Sequence, residues 1–512
     1  MPRPLMYAAC AAVIFTTSAC GADALGQSGE RSAPALSPLE MEAALQGREM
    51  SVRSFYAARQ NQAAWTEADA TSLIEAIGKA DRQGLDPAPY LKLIPPAEAG
   101  LAARDVGLTR AALAYAGALS SGVVDPTTVN PIWELDGNRL NPAPGLSAAL
   151  SRGEVGEWLA SLAPQDKEYV ALSEAYVSYR KLAETSDWPR VPAGAKLAPG
   201  GRDTRLGALQ ARLAVEGYLP ASGAQAPAPA SYGPDLVAAV TRFQTDHGLN
   251  ADGLIGDDTA EALSESPGDR AARIAVNLER RRWLSRVVPQ TRIDVNTAST
   301  VLTYWRDGVP VHVAKVVAGR PKDPTPSLGS PFNSLVVNPP WVVPASIAKK
   351  EIAPKGRGYL RSHGMSWRDG QIVQRPGPKN SLGQVKFDMD NPHSIYLHDT
   401  PSKDLFAENE RHLSHGCVRV DGAVEFAREL AEESGKGAEF DAALVSGKTE
   451  RVDLGRSVPV RLLYHTVFVD ADGRVAFRPD VYGWDDDLAR AMGVKGRDRL
   501  ATARDVTAPL GP

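Results

Sequence analysis

Two strings in the C-terminal half hold the residues best suited to chemistry: Ser394-Ile395-Tyr396-Leu397-His398-Asp399-Thr400 and Arg411-His412-Leu413-Ser414-His415-Gly416-Cys417-Val418-Arg419-Val420. A thiol is a poor nucleophile until it loses its proton, at a reference pKa of about 8.5. A neighbouring imidazole can take that proton and hold the thiolate as an ion pair. The chain sets His398 at the end of an apolar run and His415 two residues before Cys417. Gly416 lets the backbone approach a ligand without a Cβ, and successive amides there could donate to a developing oxyanion. The Arg419 fork suits a carboxylate. His412 and His415, three apart, raise the question of zinc, but no HExxH string or paired cysteines accompany them, so no metal is expected.

Cys417 is one of three cysteines, with Cys10 and Cys20. Arg3, an apolar stretch from Leu5 to about Ala19 and a run of small residues have the form of a secretory signal peptide over 1–24. The stretch is short for a bilayer span, which takes roughly 20 apolar residues. Two processing routes stay open. Cleavage after Ala24 would use Ala22-Asp23-Ala24 as A-x-A; lipidation at Cys20 would use Ser18-Ala19-Cys20, with Thr17 where a lipoprotein box usually has Leu. A short N-terminal anchor helix is a third reading, so membrane contact is expected only through an N-terminal lipid or anchor. If Cys10 and Cys20 are removed or modified, Cys417 is left without a disulfide partner in an oxidising compartment, and catalysis is the usual reason to keep such a thiol.

The elements that must position these residues follow from composition and periodicity. A length of 512 residues suggests about three domains. Hydrophobic residues at 43% and charged residues at 23% exclude a disordered or collagen-like chain. Lys and Arg number 57 against 61 Asp and Glu, a net charge of −4, so no nucleic-acid partner is indicated. Residues 25–39 read as a linker, 40–200 as a helical region, and 186–202 within it as a Pro- and Gly-rich loop. Over 203–265, Leu206, Leu209, Leu213 and then Val237, Val240, Phe243 keep helical spacing, with Gly217 and Gly248 at helix ends, which gives a three-helix module. Residues 270–288 form a basic helix whose charge run reads as a solvated or packing face. From Arg292 the period becomes two: Val301–Trp305, the turn Asp307-Gly308 and Val309–Ala318 predict a hairpin, with further strands at 334–338, 394–398, 458–469 and 474–478. Asp470-x-Asp472-Gly473 is similar to a calcium loop, but Val481 stands where a bidentate Glu is needed, so it reads as a turn.

The string His398, fifteen intervening residues, then Ser414-His415-Gly416-Cys417-Val418-Arg419 resembles the signature of the L,D-transpeptidases. NPPWVVPASIAKKEI at 338–352, RPGPKNSLGQVKF at 375–387 and IYLHDTP at 395–401 resemble the large Gram-negative branch of that family. Residues 203–265 resemble the bacterial peptidoglycan-binding module, with a Pro/Ala insert that the compact form lacks. The resemblance implies a multidomain α+β protein. An all-α scaffold (40–200) and a three-helix peptidoglycan-binding module (203–265) would lead through the connecting helix (270–288) into a mainly β L,D-transpeptidase catalytic domain (290–484). That domain would carry a capping subdomain at about 340–380, and 485–512 would be a C-terminal tail. It further implies Cys417 as nucleophile, His398 as general base and acid, and His415 and Gly416 in the oxyanion region. Tyr396, Ser414, Arg419 and Trp341 would contact substrate, although His415 could merely orient the turn and the aromatics could be core.

What the resemblance implies for the reaction is a thioester between Cys417 and a tetrapeptide stem, release of D-Ala, and a 3→3 peptidoglycan cross-link made in the periplasm without a cofactor. Carbapenems are the expected covalent inhibitors. Two alternatives stay open: the same thioester passed to water or a D-amino acid, and a non-catalytic peptidoglycan-binding scaffold.

Overall fold

The computed structural model describes residues 33, 35–185 and 188–494; the expected signal peptide with Cys10 and Cys20, and the chain after Val494, lie outside the described residues. Helices from Pro38 to Glu184 pack around Leu101–Ser121, an Ala-rich helix that lets its neighbours come close. At its centre Asp105 is buried and accepts hydrogen bonds from the Tyr56 hydroxyl (2.6 Å) and the amides of Ala64 and Trp65 (both 3.0 Å), which fixes the Phe55-Tyr56 and Trp65 segments on the core. The last scaffold helix ends at Glu184, and Leu197 belongs instead to the apolar core of the following module, paired with Ile255 through two backbone hydrogen bonds. That module has helices Leu206–Val215, Pro234–Asp246 and Asp257–Ser264.

The basic helix begins at Pro267, because Ser266 and Asp269 close a capping box, and runs to Trp283. Its charges are packed rather than solvated: Arg270, Glu279, Arg280 and Arg282 are all buried. Arg270 meets Glu216 (3.3 Å) and His247 (2.6 Å) of the three-helix module. Arg282 donates to the scaffold's Tyr169 hydroxyl (2.9 Å) and Gln83 carbonyl (2.7 Å) and pairs with Glu279 (2.7 Å). Glu279 also accepts the amides of Val123 (2.5 Å) and Val124 (2.9 Å). Helical periodicity cannot reveal this, since a charge run becomes interior only when partners arrive from distant segments.

The catalytic sheet comprises β1 (Arg292–Asn296), β2 (Val301–Arg306), β3 (Val309–Gly319), β4 (Phe332–Val337), β5 (Val385–Phe387), β6 (Leu397–His398), β7 (Val418–Val420), β8 (Glu450–Val458) and β9 (Val460–Leu463). Its central order is β9-β1-β2-β3-β7-β6-β5-β4-β8. The expected hairpin is β2–β3. The strand expected over 394–398 is shortened to Leu397–His398, because the Asn391 side chain accepts the Ile395 amide (3.1 Å) and donates to its carbonyl (2.7 Å), and Ser394 turns into the left-handed region at φ +56°. Residues 341–380 fold on their own apolar cluster as a three-stranded sheet (Trp341–Val342, Met365–Arg368, Gln371–Gln374) with a helical arm over 345–362.

The chain after β9 departs from the sequence reading in two places. The hairpin Val467–Val469/Val475–Phe477, expected as part of the catalytic domain, puts Val467 and Phe477 into the scaffold core, with Asp470-Ala471-Asp472-Gly473 as its turn. Residues 484–492, expected at the start of a tail, form a helix whose Asp485 pairs with Arg280 and accepts from Thr466 (2.7 Å). Replacing Glu279 with Ala strands Arg282 and two amides in the interior. We expect a loss of about 3–5 kcal/mol, the usual effect of breaking a buried pair, seen as a lowered urea midpoint for the helical signal. An unchanged midpoint would show that the pair is dispensable.

Candidate active site

β6 and β7 are parallel neighbours, with Leu397 opposite Val418 and His398 opposite Arg419. Side chains alternate along a strand, so Tyr396 and His398 share one sheet face with Cys417 and Arg419. β5 extends the row, with Lys386 opposite His398. The result is an imidazole between two cations, diagonal to a thiol.

His398 is fully buried, and its Nδ1–H donates to the Asp399 carbonyl (2.5 Å). That contact fixes the tautomer and leaves Nε2 as the basic nitrogen; Nε2 is buried and makes no hydrogen bond. Burial, and then the charge of Arg419, push the imidazole down to about 3. Cys417 is 4% exposed and belongs to the sheet's apolar core. Its S–H points to the Ser394 carbonyl (3.6 Å), Tyr396 hydrogen-bonds the sulfur, and burial pushes the thiol up to about 11. The pair therefore rests neutral, not as the thiolate–imidazolium expected from sequence, because both groups are withdrawn from water and a separated charge would have no solvent to stabilise it.

The turn before Cys417 is held from several sides. Ser414 Oγ donates to the Cys417 carbonyl (2.6 Å) and accepts the Gly416 amide (3.1 Å). The hydroxyl of Ser414, expected at the substrate, is thus engaged by the turn, and so is the Gly416 amide. Gly416 adopts φ +112°, and its carbonyl accepts from Thr325 Oγ1 (2.8 Å). The His415 ring donates from Nε2 to Glu351 (2.7 Å), which also receives Arg320 (3.1 Å), so it binds the 341–380 subdomain to the catalytic turn. Both nitrogens of His412 are engaged, with Glu410 and with the Thr297 carbonyl (2.8 Å).

Trp341, expected to contact substrate, is fully buried in the core of the 341–380 subdomain. Tyr396 packs against that core and against the sheet core at once, so it sits where the two meet. Arg419 is buried beside Cys417, and burial lowers its pKa to about 10. Sequence reasoning left three residues unassigned: Lys386, Glu351 and the side chain of Asp399. Each acts through a partner more than ten residues away, or through a strand register, that no local string displays.

Comparison with known families and proteins gives matches over three parts of the chain. Residues 290–450 match the L,D-transpeptidase catalytic domain, 202–263 a peptidoglycan binding domain, and 50–175 a scaffold domain. A Haemophilus influenzae protein named as an L,D-transpeptidase is 32% identical over 242 residues, 42% of this chain and 48% of that protein; the chain thus spans about half the length of that relative. Among solved structures, an L,D-transpeptidase from Xylanimonas cellulosilytica is 18% identical, covering 53% of this chain and 98% of its own, at a TM-score of 0.17. L,D-transpeptidase 3 of Mycobacterium tuberculosis, with a faropenem-derived adduct, is 18% identical over 34% of this chain and 60% of its own, at 0.19. The chain carries an L,D-transpeptidase catalytic domain together with a scaffold domain and a peptidoglycan-binding domain.

Proposed function

We propose that this chain is a periplasmic L,D-transpeptidase that joins peptidoglycan stems by 3→3 cross-links. The observation that carries the reading is the thiol of Cys417 on one sheet face with an imidazole whose Nε2 is unencumbered. Cys417 Sγ attacks the carbonyl between the third residue of a tetrapeptide stem and its terminal D-Ala, and its proton passes to His398 Nε2. The C–N bond then breaks, the departing D-Ala nitrogen takes that proton, and a thioester remains. A side-chain amine of a neighbouring stem attacks the thioester carbon and gives a proton to His398. The C–S bond breaks and that proton returns to the sulfur, so the two steps balance without ATP or cofactor. With the thiol near 11 and the imidazole near 3, the proton moves as the C–S bond forms rather than beforehand. Arg419 and Lys386 flank the imidazole, where they favour carboxylate-bearing substrate over a protonated ring. The peptidoglycan-binding domain would hold the wall within reach. Export would follow from the N-terminal segment, with Cys20 as the residue that a lipid would modify.

Three outcomes are expected. Cys417→Ala yields no cross-linked dimers from purified tetrapeptide muropeptides by mass spectrometry and gains no mass with meropenem, whereas the unaltered chain does both. Dimers formed by the variant would overturn the mechanism, and D-Ala release without dimers from the unaltered chain would make it a carboxypeptidase. His398→Ala slows meropenem acylation by about 10²–10⁴-fold, the usual range for a lost general base. The third concerns pH. A thiol whose pKa is raised gains thiolate only as pH climbs toward that value, so iodoacetamide should alkylate Cys417 about tenfold faster per pH unit from about pH 7 to about 10. A plateau near neutrality would reveal a preformed ion pair.

A further inference from the structure

We infer that the outer surface of the 341–380 subdomain is a docking site for the anionic glycopeptide of the wall, separate from the thiol's own surroundings. This inference rests on the transpeptidase reading and extends it to a second contact with the same polymer.

The first observation is charge. The segment has eight Lys and Arg against two Asp and Glu, a local net charge of +6 in a chain whose net charge is −4. Lys349, Lys350, Lys355, Arg357 and Arg361 lie along the helical arm and are all exposed. Arg368, Arg375 and Lys379 lie in and after the strand hairpin and are exposed as well. Among the described residues none of the eight is ion-paired. One of the two local carboxylates, Glu351, is engaged by His415 and Arg320. Cations left unpaired in one small subdomain raise the local concentration of anions and speed their association.

The second observation is shape. Between the arm and the hairpin runs a groove of about 400 Å³, with Ala348, Pro354 and Ile372 among its apolar lining residues and Lys349, Gln371 and Trp367 beside them. Trp367 is 56% exposed, unusual for a large aromatic in a strand that packs on a core. An aromatic face, a cation and an amide beside an apolar floor match a sugar ring carrying amide and carboxylate substituents. The occupant is a glycan strand with its stem carboxylates on the cations and a sugar against Trp367. Bare fatty membrane would use the charge but leave the groove empty.

The test uses the full chain carrying Cys417→Ala, so that binding is read without turnover, and purified disaccharide-tetrapeptide as the probe. Affinity should fall as salt rises. Adding Lys349→Gln, Arg368→Gln and Lys379→Gln should weaken binding about tenfold at low salt and flatten the salt dependence. Trp367→Ala should weaken it at all salt concentrations. Unchanged affinity in both variants would overturn the inference, provided their thermal unfolding matches that of the parent. Charge-dependent capture on phosphatidylglycerol vesicles, with tetrapeptide binding unaffected by the same substitutions, would also overturn it in favour of a membrane. If the unaltered chain makes no dimers yet the salt-dependent binding holds, the proposed reaction fails while the docking site stands; dimers formed with full affinity in both variants give the reverse.

Discussion

Everything at the site depends on one short hydrogen bond, from His398 Nδ1–H to the Asp399 carbonyl. It decides which nitrogen is basic, and it is held from behind. The Asp399 side chain accepts the Gln384 amide (2.8 Å) and the Lys403 ammonium, and the Asp399 amide donates to Val385 (2.9 Å). Gly383 has no side chain at the one place where a Cβ would collide with that carboxylate. The carbonyl is therefore fixed by the strand on one side and by a buried carboxylate on the other. The ring needs no acidic residue of its own to orient it.

The same burial that protects this geometry sets the chemistry. A fully solvated Cys–His pair could share charge; this one is buried, and each group keeps its neutral form. A neutral thiol resists oxidation and stray alkylation. Glu351 ties the 341–380 subdomain to His415, so that subdomain and the catalytic turn share one carboxylate.

Much of the candidate site could be read from the chain, because its parts sit in short strings: His398 at a strand end, Cys417 after glycine, and the Asp307-Gly308 hairpin. The three-helix module was legible for the same reason, since its core residues repeat at helical spacing. What was not legible depends on long-range pairing. Trp341 and Ser414 look like ligand contacts in one dimension and prove to be interior supports in three. The charge run at 270–282 reads as a solvated or packing face, and the partners that make it a packing face come from residues 83, 169, 216 and 485, which no window includes. Likewise the hairpin at 467–477 follows the sheet in sequence but finds its apolar partners in the scaffold.

The helix Pro267–Trp283 contributes Ala271, Ile274, Ala275 and Leu278 to the scaffold core, Arg270 to the three-helix module, and Asn277 and Arg280 to the segment after β9. Three recognisable families are thereby welded into one inheritance unit. A lineage that exchanged the wall-binding part for another at its obvious borders would leave a guanidinium without its carboxylate and Phe477 without the ring of His247 that it stacks on. Exchange is tolerable only when the helix travels with the part, so the evolutionary joint of this protein lies inside an element rather than between domains.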